Sequence, residues 1–258
     1  MSGETGTLAR RLRVEWLGAV VVAVVGVALG AWLVSAATDP EAGQRWLLVA
    51  GAVLVYELWF LRYLLAHGRE REPLPGGSLG PANAVTVLRG MLYAAAAGFL
   101  FVPPSGPAVR WAPGVCYGVG AALDFVDGSV ARRNGGASRV GERLDHAFDT
   151  LGFLVAPLVG VAWGRLPVWY LSLSAARYVF RAARWWRRRS GRPVYPLPES
   201  RLRRWLAAFQ MAFIAAALVP IAPVALVHPA ATVALVPSLA LFVRDWLAVS
   251  GRLPPHEE

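Results

Sequence analysis

Eight apolar stretches, at residues 16–37, 46–66, 84–102, 109–131, 142–163, 166–186, 205–222 and 230–249, approach or exceed the length of about 20 residues that a bilayer-crossing helix needs. Backbone amides in hydrocarbon must find their partners within the chain, so these stretches are expected to be helices. The expected fold is an all-α integral membrane protein with about eight transmembrane helices. Apolar residues make up 56% of the 258 residues and the mean hydropathy is positive, as such a protein requires.

The formal net charge of +10 could point to nucleic acid, but its distribution does not. Every basic side chain other than histidine is arginine, and the arginines gather at alternate ends of the apolar stretches. Arg10, Arg11 and Arg13 precede the first, Arg69 and Arg71 follow the second, Arg132, Arg133 and Arg139 follow the fourth, and eight more lie between Arg184 and Arg204. The positive-inside rule places these ends and both termini in the cytoplasm, and no nucleic-acid partner is expected. The opposite connections, such as residues 38–44 (TDPEAGQ) and 102–109 (VPPSGPAV), carry almost no positive charge. The first apolar run is long for a cleaved signal peptide, although Val34-Ser35-Ala36 loosely resembles a processing site, and it is read as an uncleaved anchor. The lone Cys116 sits mid-span and is expected to pack.

Within this apolar background, residues 124–149 read DFVDGSVARRNGGASRVGERLDHAFD. Asp124, Asp127, Gly128 and Ala131 fall at i, i+3, i+4 and i+7, one stripe of a helix, and Gly141, Asp145 and Asp149 form a stripe on the next. Two helices facing each other along these stripes would bring four carboxylates together. Carboxylates near hydrocarbon face a cavity, a partner or a cation, because exposing one there costs several kcal/mol on most estimates. His146 is one step from Asp145 and points about 100° away, so the stripes offer only oxygen ligands, which favours Mg2+ or Mn2+. Two such ions can be held by four aspartates if some carboxylates bridge. Gly128 allows close backbone approach to a ligand, and Arg132 offers a forked, permanently charged partner for phosphate.

The spacing D-x2-D-G-x2-A-R-x8-G-x3-D-x3-D, carried by Asp124, Asp127, Gly128, Ala131, Arg132, Gly141, Asp145 and Asp149, resembles the signature of the CDP-alcohol phosphotransferases with every element present. A weaker match upstream, Asn83, Thr86 and Arg89 in PANAVTVLR, is similar to the N-x-x-T-x-x-R segment that opens the first core helix in many members. The resemblance implies a six-helix core from about Gly80 to Gly251, two metal ions, a CDP-lipid donor (CDP-diacylglycerol or CDP-archaeol), a small alcohol acceptor, CMP release and a homodimer. It implies metal ligation by Asp124, Asp127 and Asp145, with Asp149 serving the second ion and taking the acceptor's proton. Gly128, Ala131 and Arg132 would line the nucleotide pocket. Gly141 of the signature and Asn83 and Thr86 of the weaker match are grouped with that pocket, although for Asn83, Thr86 and Arg89 capping and packing are as good an explanation as ligand contact.

The proline- and glycine-rich run EPLPGGSLGP at residues 72–81 reads as a linker. The expected division is a hairpin at 1–72, a linker at 73–80, a catalytic unit at 81–251 and a tail at 252–258. Arg177, Arg181 and Arg184 share one face of the sixth helix, and with Arg139 they favour an acceptor that already bears phosphate. Glycerol 3-phosphate is the first choice, with an inositol phosphate or serine as alternatives in the same family. Arg187, Arg188, Arg189 and Arg192 read as anchors among anionic headgroups. Glu57 is expected to snorkel or to pair with Arg62, Asp245 to pair with its neighbour Arg244, and tryptophans such as Trp46 to sit in an interfacial belt.

Two other classes compete. Intramembrane prenyltransferases also use aspartates and magnesium, but with acidic clusters far apart in sequence, whereas only residues 128–144 separate the two pairs here. A non-catalytic transporter or scaffold is the other, and the chain shows no convincing internal repeat.

Overall fold

The computed structural model describes residues 2–67, 78–133, 139–197 and 200–253, with side chains except those of 2–9, 67 and 125–133. Its regular structure is entirely helical among the described residues: α1 (Ser2–Ala37), α2 (Pro40–His67), α3 (Gly80–Gly98), α4 (Gly106–Arg133), α5 (Arg139–Ala162), α6 (Ser172–Arg189), α7 (Arg201–Leu218) and α8 (Val224–Val249). Short 3-10 turns at Phe99–Phe101 and Val168–Leu171 complete it. The expected eight helices are therefore present, and the chain is a multi-pass membrane protein.

By length and composition, five segments among the described residues suffice to cross a bilayer: Arg10–Ala37, Pro40–Ala66, Gly80–Phe101, Arg139–Ala162 and Val224–Val249. The expectation of eight full spans is narrowed for α4, α6 and α7. For α6 and α7 the reason is charge at their ends: α6 reads SLSAARYVFRAARWWRRR, and α7 opens with RLRR. The sixth apolar stretch is also broken, its first residues forming a 3-10 turn before α6 begins. Gly164 makes the sharp stop after α5 with a positive φ of 66°, letting Arg165 N–H reach back to the Gly160 carbonyl at 2.8 Å.

The first two helices form a hairpin whose turn is written locally. Asp39 caps α2 by accepting from Ala42 N–H at 2.8 Å, and Pro40 follows at the first helical position, where its missing N–H leaves nothing unsatisfied. This hairpin packs into the same apolar core as the later helices, which contains Val34, Ala42, Trp46 and Ala50 together with Tyr93, Phe153 and Ile214. Trp46 is buried rather than placed in an interfacial belt. Its indole N–H donates to the Ala95 carbonyl at 3.1 Å, and its ring lies where side chains on Gly30 and Gly98 would stand. At the other end, Glu15 accepts from Leu79 N–H at 2.8 Å and so ties α1 to the start of α3.

Glu57 departs from its expected pairing. Arg62 lies over the Trp16 ring at 5.0 Å, and Glu57 instead points inward, 3% exposed, with Oε1 lacking any hydrogen-bond partner. Its carboxyl lies against Gly90 and shares a small cavity with Leu61, Val87, Met91 and Phe148. A buried carboxyl without a partner is destabilising, so Glu57→Met is expected to stabilise the fold by about 1–3 kcal/mol. Thermal unfolding in detergent checks this; a lower melting temperature would show that the carboxyl serves a contact worth more than its burial costs.

Asp245 also takes an unexpected partner. Arg203 of α7 grips it with Nε at 2.9 Å and Nη2 at 3.1 Å, a two-pronged bond between α7 and α8 in place of the neighbouring Arg244. Arg187, read as an anchor, ties the end of α6 to the carbonyls of Pro193 and Ser250.

Candidate metal centre

Helices α3, α4 and α5 meet around one ring. Tyr93 of α3 is fully buried, and side chains on Gly120 of α4 and Gly152 of α5 would stand 2.6 Å and 2.8 Å from its ring. Only glycine lets both helices close on Tyr93 at this level. One turn from that clamp, on each helix, lie the charged residues: Arg89 precedes Tyr93 by four positions, Asp124 follows Gly120 by four, and Asp149 precedes Gly152 by three. The close packing of small residues therefore sets the polar groups of three helices at one height.

Asp124, Asp145 and Asp149 converge there, each offering an oxygen within 4.8 Å of the others. Their side chains are 31%, 39% and 28% exposed, so the group opens to one side. Asp127, Gly128, Ala131 and Arg132 are in α4, but their side chains lie outside the described residues. Oxygen donors alone, close together and partly open, suit a hard divalent cation. Oδ1 of Asp149 is buried and makes no hydrogen bond, its nearest charged neighbour being Arg89 Nη2 at 3.3 Å.

Arg89, named in the sequence only through the weaker match, proves to contact the carboxylates themselves. Completely buried, it donates through Nη1 to Asp124 and through Nη2 to Asp145, and Nη2 stands 3.3 Å from Asp149. The available signal was an arginine placed inside an apolar helix, where charge is tolerated only beside a partner. Asn83 and Thr86 are buried on the same helix and turn back on it, with the Asn83 amide donating to the Leu79 carbonyl at 2.5 Å and the Thr86 hydroxyl to Ala82 at 3.2 Å. Gly141 is buried in the first turn of α5 and Arg139 is exposed at its first residue.

The basic face of α6 lies against α5. Ser174 Oγ donates to the Phe153 carbonyl at 2.5 Å, and one turn later Arg177 lies over the Phe153 ring at 3.6 Å. Nε of Arg177 is buried with no hydrogen-bond partner, and the guanidinium is within electrostatic reach of Asp149. Arg181 donates to Nε2 of His146, so that ring is turned toward α6 and is not a cluster ligand, as its helical phase requires. Arg184 lies 5.9 Å over Phe180. Arg177 is thus close enough to interact with Asp149, while Arg181, one turn further along α6, meets His146.

The family model for CDP-alcohol phosphatidyltransferase matches residues 80–244, well over half of the chain, and includes α3 to α7 and the whole cluster. The chain belongs to that family. It is therefore a transferase of substituted phosphate groups in phospholipid biosynthesis, with a CDP-alcohol donor and an alcohol acceptor. The family is metal-dependent, and Asp124, Asp145 and Asp149 are able to bind metal. Neither a curated protein nor a solved structure matches the chain.

Proposed function

We propose that this transferase moves a phosphatidyl-type group from CDP-diacylglycerol or CDP-archaeol to glycerol 3-phosphate, releasing CMP. The observation that carries the choice of acceptor is Arg177, within electrostatic reach of Asp149 and with its Nε buried and unpartnered, with Arg181 one turn further along the same helix. A phosphorylated acceptor supplies the missing anion, and free serine has no phosphate to offer. An inositol phosphate meets the same arginines and is the nearest competitor.

Asp124, Asp127, Asp145 and Asp149 would hold two ions, Mg2+ or Mn2+. When bound, the ions neutralise the diphosphate and stabilise the departing CMP phosphate. Asp149 takes the proton of the acceptor hydroxyl as its oxygen bonds to the lipid-side phosphorus. The phosphorus–oxygen bond to the CMP phosphate breaks, and its electron pair leaves with CMP. Gly128, Ala131, Arg132 and Gly141, flanked by Asn83 and Thr86, form the CDP-lipid pocket, while Arg139 assists Arg177 and Arg181 at the acceptor entrance. The arginine-rich ends support a site on the cytoplasmic side of the cell membrane, and the family resemblance supports a homodimer.

The test is CMP release from protein in lipid nanodiscs with each CDP-lipid, Mg2+ or Mn2+, and glycerol 3-phosphate, inositol 1-phosphate, inositol or serine. Release that depends on glycerol 3-phosphate supports the proposal, and release that depends on another acceptor replaces it. For Arg177→Ala and Arg181→Ala, the acceptor KM should rise about tenfold or more with the CDP-lipid KM little changed, as loss of a charge-assisted phosphate contact requires. If neither constant moves, these arginines are membrane anchors.

A further inference from the structure

Arg89 spends its guanidinium on the same three carboxylates that the metal reading needs. It is completely buried, reaches Asp124 and Asp145 with separate nitrogens, and stands 3.3 Å from Asp149. Three carboxylates with oxygens within 4.8 Å repel one another, and a permanently charged fork on a neighbouring helix offsets that repulsion. A divalent cation arriving at these oxygens meets a positive charge already in contact with them.

We propose that Arg89 is a built-in counter-ion that competes with divalent cations for Asp124, Asp145 and Asp149, and so sets how tightly the cluster binds metal. It is a positioning residue: it holds the α4 and α5 carboxylates in register from α3 and keeps metal binding weaker and more easily reversed than the carboxylates alone would make it. The inference rests on the metal reading of the cluster, but it makes a prediction of its own. A purely structural arginine would lower stability when removed and would leave metal affinity unchanged or weaker. A competing counter-ion gives the opposite sign in affinity.

The full chain in nanodiscs, titrated with Mn2+ and followed by the electron paramagnetic resonance of free Mn2+, reads this directly. Arg89→Gln is expected to bind Mn2+ about tenfold or more tightly than the unaltered chain, because a buried like charge is removed from the site. In chelator the same variant should melt below the unaltered protein, with the gap closing as Mn2+ is added. Arg89→Lys keeps one charge and loses the fork, so its affinity should fall between the two; it decides the matter if Arg89→Gln does not fold. Equal or weaker Mn2+ affinity in the folded variant overturns the counter-ion role and leaves the metal site standing. No Mn2+ binding in the unaltered chain or in either variant overturns the metal site and this inference with it.

Discussion

Asp149→Asn is expected to lose turnover by about 10³-fold or more while still binding CDP-lipid. Removing a positioned general base alone lowers rates by about 10²–10⁴, and the amide also gives up charge that a second metal ion would use. Asn keeps the shape of the side chain, so the packing of α5 around Tyr93 and Phe148 should survive. Single-turnover CMP release measured beside CDP-lipid binding separates the two effects. Normal turnover in this variant would remove Asp149 from the proton-transfer role, and lost binding with lost turnover would make it a donor-site ligand instead.

Asp124→Ala is expected to lose Mn2+ binding and activity together, again by about 10³-fold or more, because charge neutralisation at the diphosphate depends on the ions that this carboxylate helps to hold. Asp124 is the one cluster member with a described side chain on α4, whereas Asp145 and Asp149 share α5. Its loss therefore breaks the α4 side of the cluster and removes one of the carboxylates that Arg89 meets. Paired Mn2+ titration and CMP release check the prediction. Mg2+-dependent turnover that persists in the variant would mean that the ions are held elsewhere.

The sequence alone determined the helical fold, the family and the identity of the acidic residues. Helix is forced by long apolar runs that must satisfy their own backbone, and the family rests on eight residue types at fixed spacing, which local order fully specifies. Helical phase also placed Asp124 on one stripe and Asp145 and Asp149 on another, and it turned His146 away from them. Only the packing decided which partners the charged groups found. Arg89 and the acids are 35 or more positions apart, and their meeting depends on how closely α4 and α5 close on Tyr93, which the glycines at 120 and 152 permit. For the same reason Asp245 pairs with Arg203 and not with adjacent Arg244, and Glu57 points into an apolar cavity and not toward Arg62. Trp46 has the sequence position of an interfacial side chain, but the small residues Gly30 and Gly98 make room for it in the core. Periodicity fixes the face on which a side chain stands; the approach of distant helices, governed by residues too small to leave a pattern of their own, determines what that face meets.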